Sequence, residues 1–320
     1  MRLPSIVASL ASAPRARAAL LACGCALACA FAAAPALAQG ARPDLSGWQA
    51  LLDQYIVYVG DGKKEPRDTR FDYEQLYVDE GIWSKKASER LERVHAQLLA
   101  VPPSSMDERT RLAWALNAYN FLVVERATLH LLVPLRRFQR YETVEQMNTF
   151  DGSFFDGPFL ELDGKRWSLN SFERWFVYGD STPSHEPRAR AGDPRLMFAL
   201  CRASLGGPSL PARAFKPESL EVQLDRCTRA ALAKPAIARW DERANTLLLS
   251  NYLASHRIDF GGLTTAMVPF VEKFGPGPLR SQIRKAKLDD VRRFTPVDPT
   301  LNQFLRPKPQ APVDPPQSKS

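Results

Sequence analysis

Histidine is scarce in this chain, with four in 320 residues. His95, His130, His185 and His256 each lie more than four positions from any other histidine or cysteine. That excludes the usual zinc-ligand spacings and a helical HExxH pair, and each histidine by itself reads as structural or surface-lying. A glycine-rich phosphate loop is missing too, because Gly206-Gly207-Pro208 is too short and too rigid to cradle one. Cysteine is equally thin. Of five, Cys23, Cys25 and Cys29 fall in the first 38 residues, leaving Cys201 and Cys227. Two thiols allow one bridge in an oxidising compartment but make no disulfide framework. Cys227 shares a helical face with Leu220 and Leu224, which reads as a free thiol turned to the core. Basic charge is not clustered. The net +8 is spread among acids, as in Glu89-Arg90-Leu91-Glu92-Arg93, so a solvated surface explains it and a nucleic-acid partner is not expected. No internal repeat and no mid-chain linker appears, and nothing in the pattern asks for a metal or a cofactor.

Acidic residues are also missing from the first 38 positions, which hold three arginines (Arg2, Arg15, Arg17) and an almost wholly small, apolar run from Ala18 to Ala34. The run ends in Pro35-Ala36-Leu37-Ala38, a small-x-small cleavage signature. At about 17 residues, and rich in alanine, it sits at the short limit for a spanning helix. Leu21 is too bulky for Leu20-Leu21-Ala22-Cys23 to make a good lipid-attachment site. The expectation is a secretory signal over 1–38 and a periplasmic or extracellular protein. The mature chain then has about 282 residues and a net charge of about +5, with no stable membrane insertion, since no second long apolar run follows.

The mature chain reads as one domain over 39–305, followed by a Pro-rich tail over 306–320 that composition marks as disordered. Ser181 to Gly192 is a Pro/Ser/Arg-rich loop. Periodicity predicts helices over Leu45 to Tyr58, Ser88 to Val101 and Glu108 to Leu132, the last apolar nearly all round after Leu112 and therefore buried. Phe159 to Trp167 predicts a hairpin turning on Asp163-Gly164. Ser168 to Phe176 predicts a short helix capped by Asn170, with Glu173 three residues on. Arg195 to Cys201 and Thr246 to Ser250 are strand candidates. Pro217 to Lys234, Leu263 to Phe274 and Pro278 to Lys287 are helix candidates. The sum is α+β: a helix-rich single domain with a small, mainly antiparallel sheet and its strands in the second half.

Three local features carry polar groups worth following. Asn117 and Asn120, in Trp114-Ala-Leu-Asn-Ala-Tyr-Asn, share one face of the buried helix, so a polar network is expected there, tying loops to the core or walling a site. Asp193 to Leu210 runs an apolar stretch into a Ser/Gly/Pro turn, a place for a functional loop or a plain connection, with Cys201 a nucleophile only if a base stands near. His256-Arg-Ile-Asp259-Phe260 and Asp298-Pro-Thr-Leu-Asn302 each set an acid beside a chain-end motif, as Asx turns or caps do.

Taken together and in order, these segments resemble the family known as domain of unknown function 547, over roughly Asp44 to Asn302. Phe71-Asp72-Tyr73 is similar to its early x-Asp-Tyr, and Trp114 to Asn120 to its W-I-N-x-Y-N helix. Ser168-Leu169 with Glu173 resembles its S-L-x-x-I-E-H helix start. Asp193 to Leu210 resembles its D-P-R-x-H-F-A-x-x-C-A-S-x-G-C-P-x-L motif. Asp259-Phe260 resembles its D-F, and Asp298 to Asn302 its closing Y-D-W-S-L-N. The resemblance brings no agreed biochemical role. It does imply two histidines and two cysteines, a set that suits a thiol–imidazole centre or a metal site.

This chain departs from the family at all four positions. Arg174 and Met197 stand where the family has histidine, and Arg202 and Gly207 where it has cysteine. Cys201 is one residue off, which on a strand would face it to the other side. Arginine cannot act as a general base, methionine is not basic and glycine has no side chain. Thiol–imidazole catalysis is therefore expected to be lost, while Asn117, Asn120, Glu173, Ser204 and Asp259 keep the framework. With Arg174, Met197, Arg202 and Gly207 they make the candidate pocket. Arginine forks suit carboxylate or phosphate, so the leading expectation is a non-catalytic member that binds a small anionic ligand or an envelope protein. The alternatives are a hydrolase or transferase using Cys201 or Ser204 with a carboxylate such as Glu173, and a purely structural envelope protein.

Overall fold

The computed structural model describes residues 41–59, 68–82, 88–132, 139–147, 152–183, 185–291 and 293–305. The expected signal at 1–38 and the expected tail at 306–320 lie outside them. All the described residues belong to one unit that begins at Gly40, and they form the helix-rich α+β fold expected from the sequence.

Helix α4 (Glu108–Leu129) is the axis of the fold. Asp107 starts it by accepting the Thr110 N–H at 2.9 Å. From Ala113 to Thr128 every residue is buried, as its all-round apolar pattern requires. Helices α1 (Ser46–Tyr55), α2 (Tyr73–Asp79) and α3 (Glu89–Leu99) pack on or near it. The α1 helix stops earlier than expected: the β-branched Ile56 and Val57 leave it as strand β1 (Ile56–Tyr58), antiparallel to β2 (Thr69–Phe71). So not all strands lie in the second half. Three-residue strands are too short to show an alternating pattern in the sequence. The hairpin of β3 (Leu160–Leu162) and β4 (Lys165–Trp167) is where it was expected, with Asp163 and Gly164 both at positive φ as a tight right-twisting turn demands.

The second half is built on a three-stranded sheet. β5 (Ala238–Asp241) pairs antiparallel with β6 (Thr246–Ser250), and β6 pairs parallel with β7 (Arg293–Thr295). Helices α6 (Leu220–Leu232), α8 (Met267–Phe274) and α9 (Gly277–Ala286) contribute side chains to the apolar cluster around this sheet.

Two apolar clusters result, one around α1 to α4 and one around the sheet. Residues Leu196–Ala199 stitch them together, and here the strand expectation fails: they form a 3-10 turn. Asp193 accepts the Arg195 N–H at 2.8 Å and folds the chain back directly after Pro194. Leu196 and Ala199, three apart, pack into the first cluster, and Met197 and Phe198 into the second. A run buried from both sides carries no period, so its apolar pattern does not separate strand from helix. Arg195 secures the turn, its guanidinium reaching Asp193, Glu221 at 2.6 Å and Asp225 at 2.7 Å.

Candidate functional site

Where the two halves meet, two walls enclose a cavity of about 480 Å³. The first wall carries Asn170, Glu173, Arg174, Pro187, Arg188 and Arg202. The second carries Tyr252, Ser255, His256, Arg257 and Ile258.

The first wall is shaped by a local irregularity. Helix α5 (Leu169–Phe172) begins on a reciprocal cap between Ser168 and Ser171, so the cap is Ser168 rather than the expected Asn170. At Glu173 the helix widens into a π-turn over Glu173–Val177, with the Tyr178 N–H reaching back five residues to the Glu173 carbonyl. Such turns re-aim side chains and recur at functional sites. Phe172 and Phe176 anchor this one on Trp114, with ring centroids 5.6 and 5.2 Å away, while Glu173 and Arg174 line the cavity. Asn170 is thereby free to bridge: its amide donates to Asp156 at 2.8 Å, and its oxygen accepts from Arg202 at 3.3 Å.

Arg202 is held on all sides. Its Nη1 donates to the Tyr119 hydroxyl (3.0 Å), Glu173 Oε2 (3.2 Å) and Asn170, and its guanidinium lies 3.7 Å from the centre of the Phe155 ring. Burial opposes its charge, but Tyr119 and Glu173 more than offset that and raise its pKa. Burial likewise pushes the Glu173 carboxyl upward. His256, Arg202 and Arg188 overcome it and hold the group below the ordinary glutamate value. Glu173 is therefore an anion at neutral pH.

The second wall follows from a strand that turns straight into a helix. Ser250, the last residue of β6, accepts the Tyr252 N–H and starts α7 (Asn251–Ser255). The Tyr252 hydroxyl donates to the Met197 carbonyl at 2.7 Å, fastening this wall to the stitch between the clusters. His256 Nδ1 lies 2.9 Å from the Tyr252 carbonyl and so carries a proton there. Its Nε2 is left facing Glu173 Oε1 across the cavity at 3.9 Å. Asp259, with no exposed side-chain surface, grips Arg188 through both oxygens (2.8 and 2.5 Å) and accepts the Gly192 N–H at 2.7 Å. Arg188 in turn lies 3.5 Å from the centre of the Tyr178 ring.

Of the nine candidate pocket residues, Glu173, Arg174 and Arg202 line the cavity, and Asp259 acts on it through Arg188. The other five do not line it. Asn117 clips the Phe215 backbone to α4 through both its N–H (2.8 Å) and its carbonyl (2.8 Å). Asn120 does the same for the Ala199 carbonyl and the Cys201 N–H. Met197 is fully buried in the second cluster. Ser204 is buried in a bridge to Leu301. The Gly207 carbonyl accepts from Lys234 Nζ at 2.8 Å, and its neighbour Gly206 must be glycine because a Cβ there would meet the Asp298 N at 2.4 Å. Cys201 is sealed in the core, where its sulfur accepts the Ala203 N–H and burial raises its pKa; Cys227 is also free, its thiol pushed up to about 12.

Sequence reasoning missed Asn170, Arg188, Tyr252 and Arg257 as wall residues and placed His256 among the structural histidines. The one signal available was the position of His256 three residues before Asp259. What the cavity offers is a cluster of guanidiniums, one anionic carboxylate and one oriented imidazole, with no thiol among the described residues that line it.

Residues 103–230 match the model of the family described as protein of unknown function, DUF547, which bears out the family resemblance. No curated protein and no solved structure matches the chain.

Proposed function

We propose that this DUF547 protein is exported and binds a small anionic ligand in the cavity between its two walls, without covalent catalysis. One observation carries the reading: four arginines line one cavity, and neither Cys201 nor Ser204 is among its lining residues. A nucleophile must reach its substrate and stand beside a base. Cys201 is fully buried with its thiol pKa raised, and Ser204 is held against Leu301. Both therefore count against the hydrolase or transferase alternative. Arginine forks, by contrast, match carboxylate and phosphate oxygens. Export rests on the basic, then apolar, then small-x-small order of residues 1–38. No helix among the described residues is long and apolar enough to cross a membrane.

Calorimetric titration of the mature protein with small carboxylates and phosphates tests the reading. Saturable binding that weakens as salt rises is expected, and no heat with any of them overturns it. Labelling of folded protein at Cys201 or Ser204 by thiol- or serine-directed probes would restore the alternative. Export predicts Gln39 as the first residue of the secreted product.

A further inference from the structure

The ligand class follows from two acceptors that face each other across the cavity. Glu173 Oε1 and His256 Nε2 stand 3.9 Å apart, and neither atom has a hydrogen-bond partner among the described residues. Both residues line the cavity. The carboxyl is held ionised, so Oε1 offers lone pairs only. With its Nδ1 proton on the Tyr252 carbonyl, a neutral imidazole likewise offers only a lone pair at Nε2. Two bare acceptors at this spacing call for one group that donates twice. A hydroxyl has a single proton and serves one of them. An ammonium has three N–H donors and can stand within hydrogen-bond distance of both.

A seat for a carboxylate lies next to this gap. Arg202 spends Nη1 on Tyr119, Asn170 and the other Glu173 oxygen, Oε2, at 3.2 Å, and its Nη2 makes no hydrogen bond among the described residues. The Arg202 side chain is 26% exposed and lines the cavity, which leaves part of its guanidinium fork for a carboxylate. Both seats share Glu173, so a cation and an anion carried on one carbon can reach them together. Pro187, Ala254 and Ile258 add apolar surface beside them, and a volume of about 480 Å³ lies within the range of organic-ligand sites. Resting on the anion-binding reading, the geometry points to an aliphatic α-amino acid, its ammonium between Glu173 Oε1 and His256 Nε2 and its carboxylate on Arg202. A carboxylate without the ammonium leaves both acceptors bare. An amine without the carboxylate brings its charge beside Arg202 uncompensated.

Calorimetric titration with L-leucine, its des-amino analogue 4-methylpentanoate and its descarboxy analogue 3-methylbutylamine, all at one ionic strength and pH 8, decides the matter. L-leucine is expected to bind about tenfold more tightly than either analogue, the worth of one charge-assisted hydrogen bond. Its advantage over 4-methylpentanoate should vanish in Glu173→Gln. His256→Phe keeps the ring contact with Tyr252, whose centre lies 4.7 Å away, and removes the Nε2 acceptor alone. It should weaken L-leucine, leave 4-methylpentanoate unchanged, and keep the test interpretable where E173Q does not fold. Equal affinity for L-leucine and 4-methylpentanoate overturns the amino acid but leaves the anion-binding reading standing. Equal affinity for L-leucine and 3-methylbutylamine overturns the carboxylate seat, and the anion-binding reading with it. An unchanged preference for L-leucine in both variants overturns the Glu173–His256 seat. No binding by any of the three overturns the amino acid, and the wider series of carboxylates and phosphates then judges the anion-binding reading separately.

Discussion

The two walls of the cavity differ in origin and in how they are held. The first, from Asn170 to Arg202, lies wholly within the residues matched by the family model, and the second, from Tyr252 onward, lies wholly outside them. On the first wall the charged groups are fixed to one another: Arg202 to Glu173, Tyr119 and Asn170. On the second, the short helix α7 is fixed mainly through backbone: the Ser250 cap, the Tyr252 hydroxyl on the Met197 carbonyl, and His256 on the Tyr252 carbonyl. The matched wall carries arginine at 174 and 202, where the family resemblance implies histidine and cysteine. The unmatched wall nevertheless brings an imidazole into the same cavity. Loss of motif residues on one wall is therefore not loss of all titratable chemistry from the site.

Asp259 ties the walls by charge through Arg188, and breaking it tests their mutual dependence most severely. Asp259→Ala leaves the Arg188 side chain, 9% exposed, beside Tyr178 without its carboxylate partner. Removing one member of a buried pair costs about 3–5 kcal/mol, and urea unfolding should show a loss of that size. A loss below about 1 kcal/mol would mean that water replaces the carboxylate and that the walls are independent.

A comparable effect is expected within the first wall's support. Asn120→Ala strips partners from the Ala199 carbonyl and the Cys201 N–H, both buried. Each orphaned group costs about 1–3 kcal/mol. Because these bonds hold the backbone directly before Arg202, ligand affinity should fall along with stability. Asn117→Ala frees Phe215 instead, far along the chain from Arg202. It should lower the unfolding midpoint by a similar amount and leave affinity alone. Equal effects of both on affinity would make the Asn pair a general core feature rather than a support for one wall.

The long helices and the hairpin were legible in the sequence because each spans enough residues to show its period or its turn. The buried α4 and the Asp163-Gly164 turn are the clearest cases. The Leu196–Ala199 turn was not, since burial from both sides erases period. The candidate site was legible only where a motif position pointed to it: Glu173, Arg174 and Arg202. Asn117 and Asn120 stand out by being polar in a buried helix, but that singles out a hydrogen-bond network and does not say whether it faces solvent. Arg188 lay hidden in an irregular loop, where no period fixes direction. His256 is brought opposite Glu173 by the β6–α7 corner, a contact 83 positions apart in the chain that no local spacing reveals.

The last test compares two histidine–glutamate pairs, one across the cavity and one behind the first wall. His256 stands 3.9 Å from Glu173, beyond hydrogen-bond reach, whereas His95 Nδ1 lies 3.1 Å from both oxygens of Glu125, between α3 and α4. The hydrogen bond to Glu125 raises the His95 pKa above its ordinary 6.5, against the opposing pull of burial. A histidine whose folded value is raised binds its proton more tightly folded than unfolded. Its contribution is then fully present below about pH 6.5, the unfolded value, and is lost as pH rises through the higher folded value. Urea midpoints of wild type and His95→Gln should accordingly differ most at pH 5.5 and draw together as the pH rises above 6.5. A gap between the two proteins that stays constant across that range would show that His95 acts by packing on Phe121, 6.1 Å away ring to ring, and not through its charge. Ligand affinity should be unchanged in the variant at every pH, because this pair supports the core behind the first wall and touches neither side of the cavity.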